Sequence, residues 1–245
     1  MSAYQTILLV AAMEQESRPL KESLGFRPAA TSSRFAVPFS RFETDLGGAR
    51  LIMSLNGKDR RYGNENVGLE MAALNTYDAI HAYSPDLVIN FGTAGAFKDK
   101  GAEVGRVFLS KDRFFFHDHR IPLSGYEDYG RGYLPGLDVE AFAQTLSLPT
   151  GIVSSGSSLD FTDRDLEEIH RNGATLKEME AAGIAWSCYL TGTPFFAIKS
   201  VTNLVDKTVS SANEFEKNFS LAVESLTSTT RTVLEAIVRG ELPGK

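Results

Sequence analysis

Five acidic and polar residues stand where two predicted β-strands end, and their side chains offer the hydrogen bonds that a bound ligand requires. They are Glu178, Glu180, Thr202, Asn203 and Asp206. Ligands of open α/β sheets bind outside the carboxyl ends of the strands, so these residues are candidates for a binding site. A second interpretation of the two glutamates stays open, because the helix dipole also favours solvated acids in a first helical turn.

The elements that must position these residues form a β-α-β pattern. A short strand at 175–177 leads to a helix at 179–191, and a Gly-Thr-Pro turn then leads to a buried strand at 195–201. A crossover through a helix predicts that the two strands are parallel and that the connection is right-handed. The carboxyl ends of the strands, and the candidate residues with them, are then expected to lie together.

Two earlier stretches have the same shape, a buried strand followed by residues that suit a site. A continuous apolar run at 6–12, typical of a central strand covered on both faces, precedes a helix start that contains Glu16. A second buried strand at 86–92 runs into a turn of small residues at 93–97, where backbone amides can approach a ligand closely. The alternatives are a solvated acid and a tight turn without a ligand. The turn lacks the G-x-G-x-x-G spacing, so we do not predict a dinucleotide-binding fold.

Strands and helices alternate along the remainder of the chain. The further predicted elements are a hairpin at 35–43 and 49–55, a helix at 65–83, a strand at 107–116, a helix at 139–146, a strand at 151–155, a helix at 162–172 and a final helix at 212–239. Thr162 and Asp165 have the spacing of a capping box, and the apolar face of the final helix, which includes Phe215, is typical of core packing. We predict one α/β domain that spans residues 1–245.

Composition narrows the classes of partner. The chain has 245 residues, 42% of them hydrophobic, and a net charge of −6, with no basic run interleaved with aromatic residues, so nucleic acid is not an expected partner. Its one cysteine, Cys188, can form no internal disulfide, and no apolar run approaches membrane-spanning length. We therefore expect a soluble, cytoplasmic protein that does not bind membranes.

The segment at 117–137 is a long loop rich in glycine and tyrosine. His117, Asp118 and His119 raise the possibility of a metal site, but no further histidine or cysteine lies at ligand spacing, so we predict no metal. The loop and the strand end before it carry more aromatic and apolar side chains than a freely solvated segment should expose. We predict that the loop is a lid or a subunit contact, near the interface of a homodimer.

Six motifs, in order and spread over nearly the whole chain, resemble the nucleoside phosphorylase and nucleosidase superfamily. They are Ala-Met-Glu-Gln-Glu at 12–16, Val-Ile-Asn-Phe-Gly-Thr-Ala-Gly-Ala at 88–96, Phe-His-Asp-His-Arg-Ile-Pro at 116–122, Ser-Gly-Ser-Ser-Leu-Asp at 155–160, Ala-Thr-Leu-Lys-Glu-Met-Glu at 174–180 and Lys-Ser-Val-Thr-Asn-Leu-Val-Asp at 199–206. Within the superfamily the chain looks like the plant-type 5′-methylthioadenosine/S-adenosylhomocysteine nucleosidases of methionine salvage. The resemblance implies a mixed, twisted central sheet flanked by helices, no cofactor, and a homodimer in which the partner subunit helps to close the pocket.

The resemblance also implies a role for each matching residue. Cleavage of a purine N-riboside passes through an oxocarbenium-like sugar, so the enzyme must position a water, bind the ribose and assist the leaving purine. Glu16 would orient and deprotonate the water, and Glu180 would accept hydrogen bonds from the ribose hydroxyls, supported by Lys199. Met179 would pack on the sugar. The purine end of the pocket would be formed by Thr93, Ala94, Gly95, Leu159, Thr202 and Asn203.

Two departures from the family pattern leave the substrate open. The nucleosidases carry an aspartic acid at the position of Asn203, and an amide cannot supply a proton as an acid does. Their Ser-Gly-Asp appears here with Ser157 in place of the aspartate, which would remove a carboxylate from the loop beside the base. Three interpretations follow: cleavage of 6-oxopurine nucleosides, a nucleosidase with weakened catalysis, or a binding or storage protein on the same fold.

The choice between water and phosphate as the nucleophile also stays open. Phosphorylases of this superfamily place arginines around a phosphate, one of them just before the small-residue turn, where this chain has Phe91. A phosphate requires such charge-assisted donors. Arg18 and Lys58 could still contribute, so the sequence favours hydrolysis without excluding phosphorolysis.

Overall fold

The computed structural model describes residues 4–30, 36–205 and 211–244, and for 211–214 it describes the backbone alone. The candidate residue Asp206 and the first residue of the predicted hairpin lie outside the described residues.

A mixed β-sheet of ten strands forms the centre of the described structure. The strands are β1 Thr6–Ala11, β2 Arg27–Pro28, β3 Ser40–Leu46, β4 Ala49–Leu55, β5 Leu87–Ala96, β6 Val107–Phe116, β7 Leu134–Pro135, β8 Thr150–Ser155, β9 Leu176–Glu178 and β10 Phe195–Leu204. The α-helices of the described residues are α1 Glu14–Ser23, α2 Leu69–Tyr83, α3 Glu127–Arg131, α4 Glu140–Thr145, α5 Asp163–Arg171, α6 Ala181–Thr191 and α7 Ser211–Val238. The predicted α/β class, a mixed central sheet flanked by helices, is confirmed.

Apolar layers cover both faces of the sheet. In β1 and β5, alternate residues such as Leu8 and Val88 pack against α2 and α6 on one face. The residues between them, such as Leu9, pack on the other face against α1, α4 and α7. Because successive side chains of a strand point to opposite faces, burial on both faces requires the continuous apolar runs that the sequence shows.

Five strands of the sheet close into a ring. The neighbours run in the order β10-β6-β8-β9-β5, and a further pairing between β10 and β5 completes the circle. From β5 the sheet continues outward through β1, β4, β3 and β2. The long strand β5 belongs to both parts, because Leu87–Asn90 pair with β1 while Gly95 and Ala96 pair with β9.

The prediction that the strands flanking α6 are parallel is wrong. β9 pairs antiparallel with β5, whereas β10 pairs parallel with β5, so β9 and β10 run in opposite directions. β9 has only three residues, and its direction is set by its partners β5 and β8 in the ring rather than by the crossover helix. The polar pair Thr202 and Asn203, expected just beyond a strand, lies within β10.

Several local predictions are confirmed with shifted ends. β3 and β4 form the hairpin, with Gly47 and Gly48 at positive φ in the turn. Thr162 and Asp165 form the capping box of α5. The helix predicted from residue 65 begins only at Leu69. Within the described ranges, no helix is long and apolar enough to cross a membrane.

Candidate active site

One pocket brings together nearly all of the candidate residues. It has a volume of about 230 Å³ and lies where β5 continues past the end of β1. Among the described residues it is lined by Ala12, Met13, Glu16, Val67, Thr93, Ala94, Gly95, Leu159, Lys177, Glu178, Met179, Glu180, Thr202, Asn203, Val205 and Phe215. Glu16 and Glu180, 164 positions apart in the chain (180 − 16), therefore share a wall, as the sequence predicts.

Glu16 occupies the first turn of α1 and is 5% exposed, so the interpretation as a solvated acid is wrong. Its Oε1 accepts hydrogen bonds from the backbone N–H of Thr93 at 2.8 Å and from the Thr93 hydroxyl at 2.7 Å. Burial raises the pKa of Glu16, and the two hydrogen bonds from Thr93 oppose that effect. A carboxylate with a raised pKa is a stronger base than one in water and is suited to accept a proton.

Glu180 precedes the first residue of α6 and lines the pocket. One of its oxygens accepts the backbone N–H of Gly68 at 2.9 Å. Burial, and then the negative charge of Glu178, raise the pKa of Glu180 to about 7. Near neutral pH this carboxyl group exchanges readily between its two protonation states, and in its ionised form it is a hydrogen-bond acceptor only.

Gly68 is a site residue that the sequence did not reveal. It lies just before α2 with φ of 102°, a backbone conformation that favours glycine. Close contact between α2 and α6 depends on Gly183, where an added Cβ would lie 2.4 Å from the carbonyl oxygen of Leu69. The sequence does contain a glycine before the helical segment, but the helix was predicted to begin at residue 65, so Gly68 was placed inside it.

Lys199 supports the carboxylates of the pocket from outside its described lining, because its positive charge opposes the rise in pKa of both Glu16 and Glu180. Its Nζ lies 2.7 Å from Glu178 Oε2, and it is absent from the described pocket lining. Glu178 also accepts hydrogen bonds from the Ser155 hydroxyl and from the backbone N–H groups of Glu180 and Ala181. Burial alone would raise the pKa of Glu178, but Lys199 and these hydrogen bonds together lower it. Glu178 also lines the pocket, but Lys199 and the other donors occupy both of its oxygens, so Glu180 has more capacity to accept hydrogen bonds from a ligand.

Thr202 and Asn203 lie side by side at the other end of the pocket. The Thr202 hydroxyl is 3.2 Å from the Ala94 carbonyl and 3.0 Å from Asn203 Oδ1. A hydroxyl has one proton, so it donates to one of these oxygens at a time. The Asn203 amide can rotate to present either its N–H₂ or its oxygen to a ligand. Either way it offers hydrogen bonds and no acidic proton.

Ser157 is not among the described residues that line the pocket, although Leu159 of the same loop is. The Ser157 backbone N–H donates to Asp118 at 2.7 Å, and its hydroxyl donates to Glu70 at 3.1 Å. The N–H of Leu69 lies 3.4 Å from the same hydroxyl. Ser157 therefore lies at the start of α2 between two carboxylates, where an aspartate would add a third negative charge.

Part of the pocket lining is an apolar wall. Its members are Ala12, Met13, Val67, Val205 and Phe215. The expectation that Phe215 belongs to the core is therefore wrong, because α7 begins close enough to the pocket for this ring to line it. Leu159 lies on the loop after β8 and is 49% exposed. A wall of this kind accommodates an apolar group on a ligand whose polar part is bound deeper.

The two histidines of the loop after β6 point to different neighbours. His117 is buried, its Nδ1 lies 3.3 Å from the Ser154 hydroxyl, and burial lowers its pKa to about 4. His119 packs against Phe116 and Trp186. No group of three or more histidine, cysteine, aspartate or glutamate side chains within the described ranges is arranged to hold a metal ion.

Comparisons with known proteins agree with this geometry. A family model described as the phosphorylase superfamily matches residues 6–235. The chain is 35% identical to a 5′-methylthioadenosine nucleosidase of Arabidopsis thaliana over 233 residues, which cover 95% of this chain and 87% of the relative. It is 34% identical to a 5′-methylthioadenosine/S-adenosylhomocysteine nucleosidase of the same plant, with 95% and 91% covered. The apo structure of Arabidopsis 5′-methylthioadenosine nucleosidase superposes with a TM-score of 0.92 at 34% identity, covering 96% of each chain.

Proposed function

Because this chain belongs to the phosphorylase superfamily, and within it to the 5′-methylthioadenosine/S-adenosylhomocysteine nucleosidases, we propose that it hydrolyses the N-ribosidic bond of 5′-methylthioadenosine. The single observation that carries the proposal is the pocket in which Glu16 and Glu180 face a common space. Relatives at this level of identity over 95% of the chain are named as nucleosidases. The chain is accordingly an N-glycosyl hydrolase.

The pocket supplies a group for each part of the reaction. We assign Glu16 to the water, because its carboxylate is buried, has a raised pKa and is held by Thr93. Glu180, in its ionised form, accepts from the ribose hydroxyls, and Met179 beside it packs on the sugar. As the bond to the purine lengthens, positive charge develops on the ribose, and the two carboxylates stabilise that charge electrostatically.

The lining favours water over phosphate as the nucleophile. No arginine is among the described residues that line the pocket, and Lys177 is the one cation there. A phosphate would have to replace its hydration with charge-assisted donors. Arg18, named above as a possible donor, is exposed and lies in a separate groove between α1 and α7.

The apolar wall supports a substrate with an apolar 5′ substituent. A methylthio group placed against Met13, Val67 and Phe215 would remove apolar surface from water. A free 5′-hydroxyl would lose hydrogen bonds to water without regaining them on this wall. We therefore expect 5′-methylthioadenosine to be preferred to adenosine.

Asn203 favours a second candidate substrate, a 6-oxopurine nucleoside. Its carbonyl can accept from N7–H of the departing base while its amide donates to O6, so both atoms are satisfied. With a 6-aminopurine, the Asn203 N–H₂ can donate to N7 and its oxygen can accept from the 6-amine, but only while N7 carries no proton. The relatives named above are nucleosidases of 6-aminopurine substrates, so this remains the second candidate.

The assay that tests the function measures release of the free base. The purified protein is incubated with 5′-methylthioadenosine, adenosine, inosine and guanosine, with and without phosphate. We expect adenine and 5-methylthioribose from the first substrate, at a rate that phosphate does not change. Glu16→Gln should lower kcat by about 10²–10⁴-fold, because a general base is lost while the hydrogen bonds from Thr93 are kept. Absence of base release from all four substrates would contradict the proposal.

We also propose a homodimer with the loop at 117–137 near its interface. Four large side chains of this loop are exposed: Leu123 61%, Tyr126 50%, Tyr129 52% and Tyr133 59%. Light scattering at micromolar concentration should give a dimer. Replacing Leu123 and Tyr126 by serine should shift it towards monomer, whereas Tyr62→Ser, at a residue 72% exposed outside the loop, should not. A wild-type monomer would contradict this proposal.

A cytoplasmic location and a place in methionine salvage also stay proposals. The substrates named for the relatives and the free, buried thiol of Cys188 support them. Fractionation of the source cells, and the fate of methylthioadenosine when the protein is removed, would test them.

A further inference from the structure

Lys177 is a buried lysine in the pocket wall to which the reaction described above gives no task. It is 6% exposed, and it is the one cationic residue among the described residues that line the pocket. Burying an ammonium group is costly unless it is paired or hydrogen-bonded. Its presence there calls for a partner, a function or both.

The strand register places Lys177 at the purine end. Gly95 of β5 pairs with Lys177 of β9 on one side and with Asn203 of β10 on the other. Paired residues of neighbouring strands project to the same face of a sheet. Lys177 and Asn203 therefore flank Gly95, where an added Cβ would lie 3.1 Å from Asn203 Nδ2.

Two of the three N–H groups of Lys177 are occupied. Nζ donates to the carbonyl oxygens of Ser158 and Leu159, each at 3.0 Å, and so holds the loop after β8 against the pocket. A lysine ammonium has three donors, and no described residue accepts the third. A positioned cation with one free donor thus lines the same end of the pocket as Asn203, which has no proton to give.

We propose that Lys177 donates to the departing purine and supplies its proton, an assignment that rests on the proposed nucleosidase reaction. The C1′–N9 bond breaks and its electron pair stays on the purine. The water oxygen forms a bond to C1′ and gives one proton to Glu16. The ammonium proton passes to a purine nitrogen, and the resulting amine regains a proton from solvent when the base leaves.

The surroundings suit a lysine that must give up a proton. Burial lowers the pKa of Lys177 below its ordinary value, and nearby carboxylates oppose that effect. The charged and titratable groups that face it are Glu178 of its own strand, Asp160 of the loop, Asp118 and His117 after β6, and Asp165 of α5. The ring of Phe161 lies 5.9 Å from Nζ. Burial therefore makes the Lys177 ammonium a better acid than a solvated lysine.

The test compares leaving groups that need a proton with one that does not. Wild type, Lys177→Met and Lys177→Arg are assayed with 5′-methylthioadenosine and with a 4-nitrophenyl riboside that carries the same 5′-methylthio group. 4-Nitrophenolate departs as a stable anion, so it gains little from an acid. Lys177→Met should lower kcat for adenine release by about 10²-fold or more, and should change 4-nitrophenolate release by less than about threefold.

Lys177→Arg separates the proton from the hydrogen bonds to the loop. A guanidinium keeps the charge and can bond both carbonyls, but it does not lose a proton in proteins. Adenine release should stay low in this variant, while 4-nitrophenolate release stays near that of wild type. In wild type, kcat/KM for adenine release should also fall at alkaline pH, and that fall should be missing with the 4-nitrophenyl substrate.

Three results would overturn the assignment. An equal loss with both substrates in Lys177→Met would show that the lysine only holds the loop. No loss with either would show that it is idle, and full recovery of adenine release in Lys177→Arg would exclude proton transfer. Lys100→Met, at an exposed position, serves as the control and should change neither rate. If the wild type releases no base from any nucleoside, the proposed function fails, which is a different result from these.

Discussion

Lys199 Nζ lies 2.7 Å from Glu178 Oε2, and each of these side chains is 1% exposed. The pair joins β10 to the start of α6, because Glu178 also accepts N–H groups from Glu180 and Ala181. Glu180, which lines the pocket, is part of the same turn at the start of α6. The ion pair thus fixes the backbone that carries Glu180. The two charges also neutralise each other without a ligand.

Breaking this pair should cost stability. Glu178→Gln removes the carboxylate that pairs directly with the buried Lys199 ammonium and leaves only the more distant Glu16 and Glu180, so we expect the free energy of unfolding to fall by about 3 kcal/mol. The double variant Glu178→Gln, Lys199→Met also removes the Lys199 charge and should lose less than the single change. Urea unfolding followed by circular dichroism measures both. A loss below about 1 kcal/mol in the single variant would contradict a stabilising role for the pair.

The pH dependence of activity should follow Glu180. Its pKa is raised to about 7, and the acceptor role requires the ionised form. We expect kcat/KM for 5′-methylthioadenosine to fall as pH decreases through about 7. A profile that stays flat from pH 8 to pH 5.5 would show that Glu180 is not the acceptor. Glu180→Gln should lower kcat/KM at every pH.

The contribution of Glu180 to stability should depend on pH in the opposite direction to its contribution to activity. A carboxyl group whose pKa is raised in the folded state binds more protons there, so its favourable contribution is present at low pH and is lost as pH rises through about 7. Glu180→Gln keeps an acceptor for the Gly68 N–H but cannot become charged. The variant should therefore gain stability relative to wild type at pH 8 and show little difference at pH 5, as thermal unfolding at the two pH values would reveal.

Asn203 should determine which purine the protein releases. Asn203→Asp provides an acid beside the Thr202 hydroxyl, and we expect adenine release to rise by at least about tenfold. Release of hypoxanthine or guanine should not rise in parallel, because the donor to O6 is lost. Unchanged adenine release, in a variant that still melts like wild type, would show that Asn203 does not face the purine.

Gly183 should be required for the approach of α2 to α6. An alanine Cβ would lie 2.4 Å from the Leu69 carbonyl oxygen, so the two helices must separate. That movement withdraws the Gly68 N–H from Glu180, and we expect KM for the nucleoside to increase along with a lower melting temperature. Gly192→Ala, at a glycine with nothing within 4 Å of an added Cβ, is the comparison and should affect stability alone, through its φ of 68°.

The sequence predicted the elements of this fold better than their partners. Two local signals were predicted and are present in the structure. They are the continuous apolar runs of β1 and β5, which are buried on both faces, and the capping box at Thr162. The direction of β9 is not a local property. β9 has only three residues, and its direction depends on its pairing with β5 and β8, which are distant in the sequence.

The same distinction holds for the site. Glu16, Glu180 and Asn203 could be recognised because they fall in motifs that resemble those of the nucleosidases. Gly68 contributes through a backbone N–H, which every residue but proline has, so nothing in its side chain points to a role. The partner of Lys199 could not be chosen from sequence, because Glu178 and Glu180 are both glutamates and only the path of the chain between them decides which one it meets.

Closure of the ring has a consequence for aggregation through the edges of the sheet. Strands in a closed ring expose no row of unpaired backbone groups, so the described sheet ends only at β2 and β7. Each of these has just two residues, and each contains a proline, Pro28 and Pro135, which has no N–H to offer an incoming chain. At β2 and β7 the described sheet therefore offers an incoming strand few backbone N–H groups with which to pair.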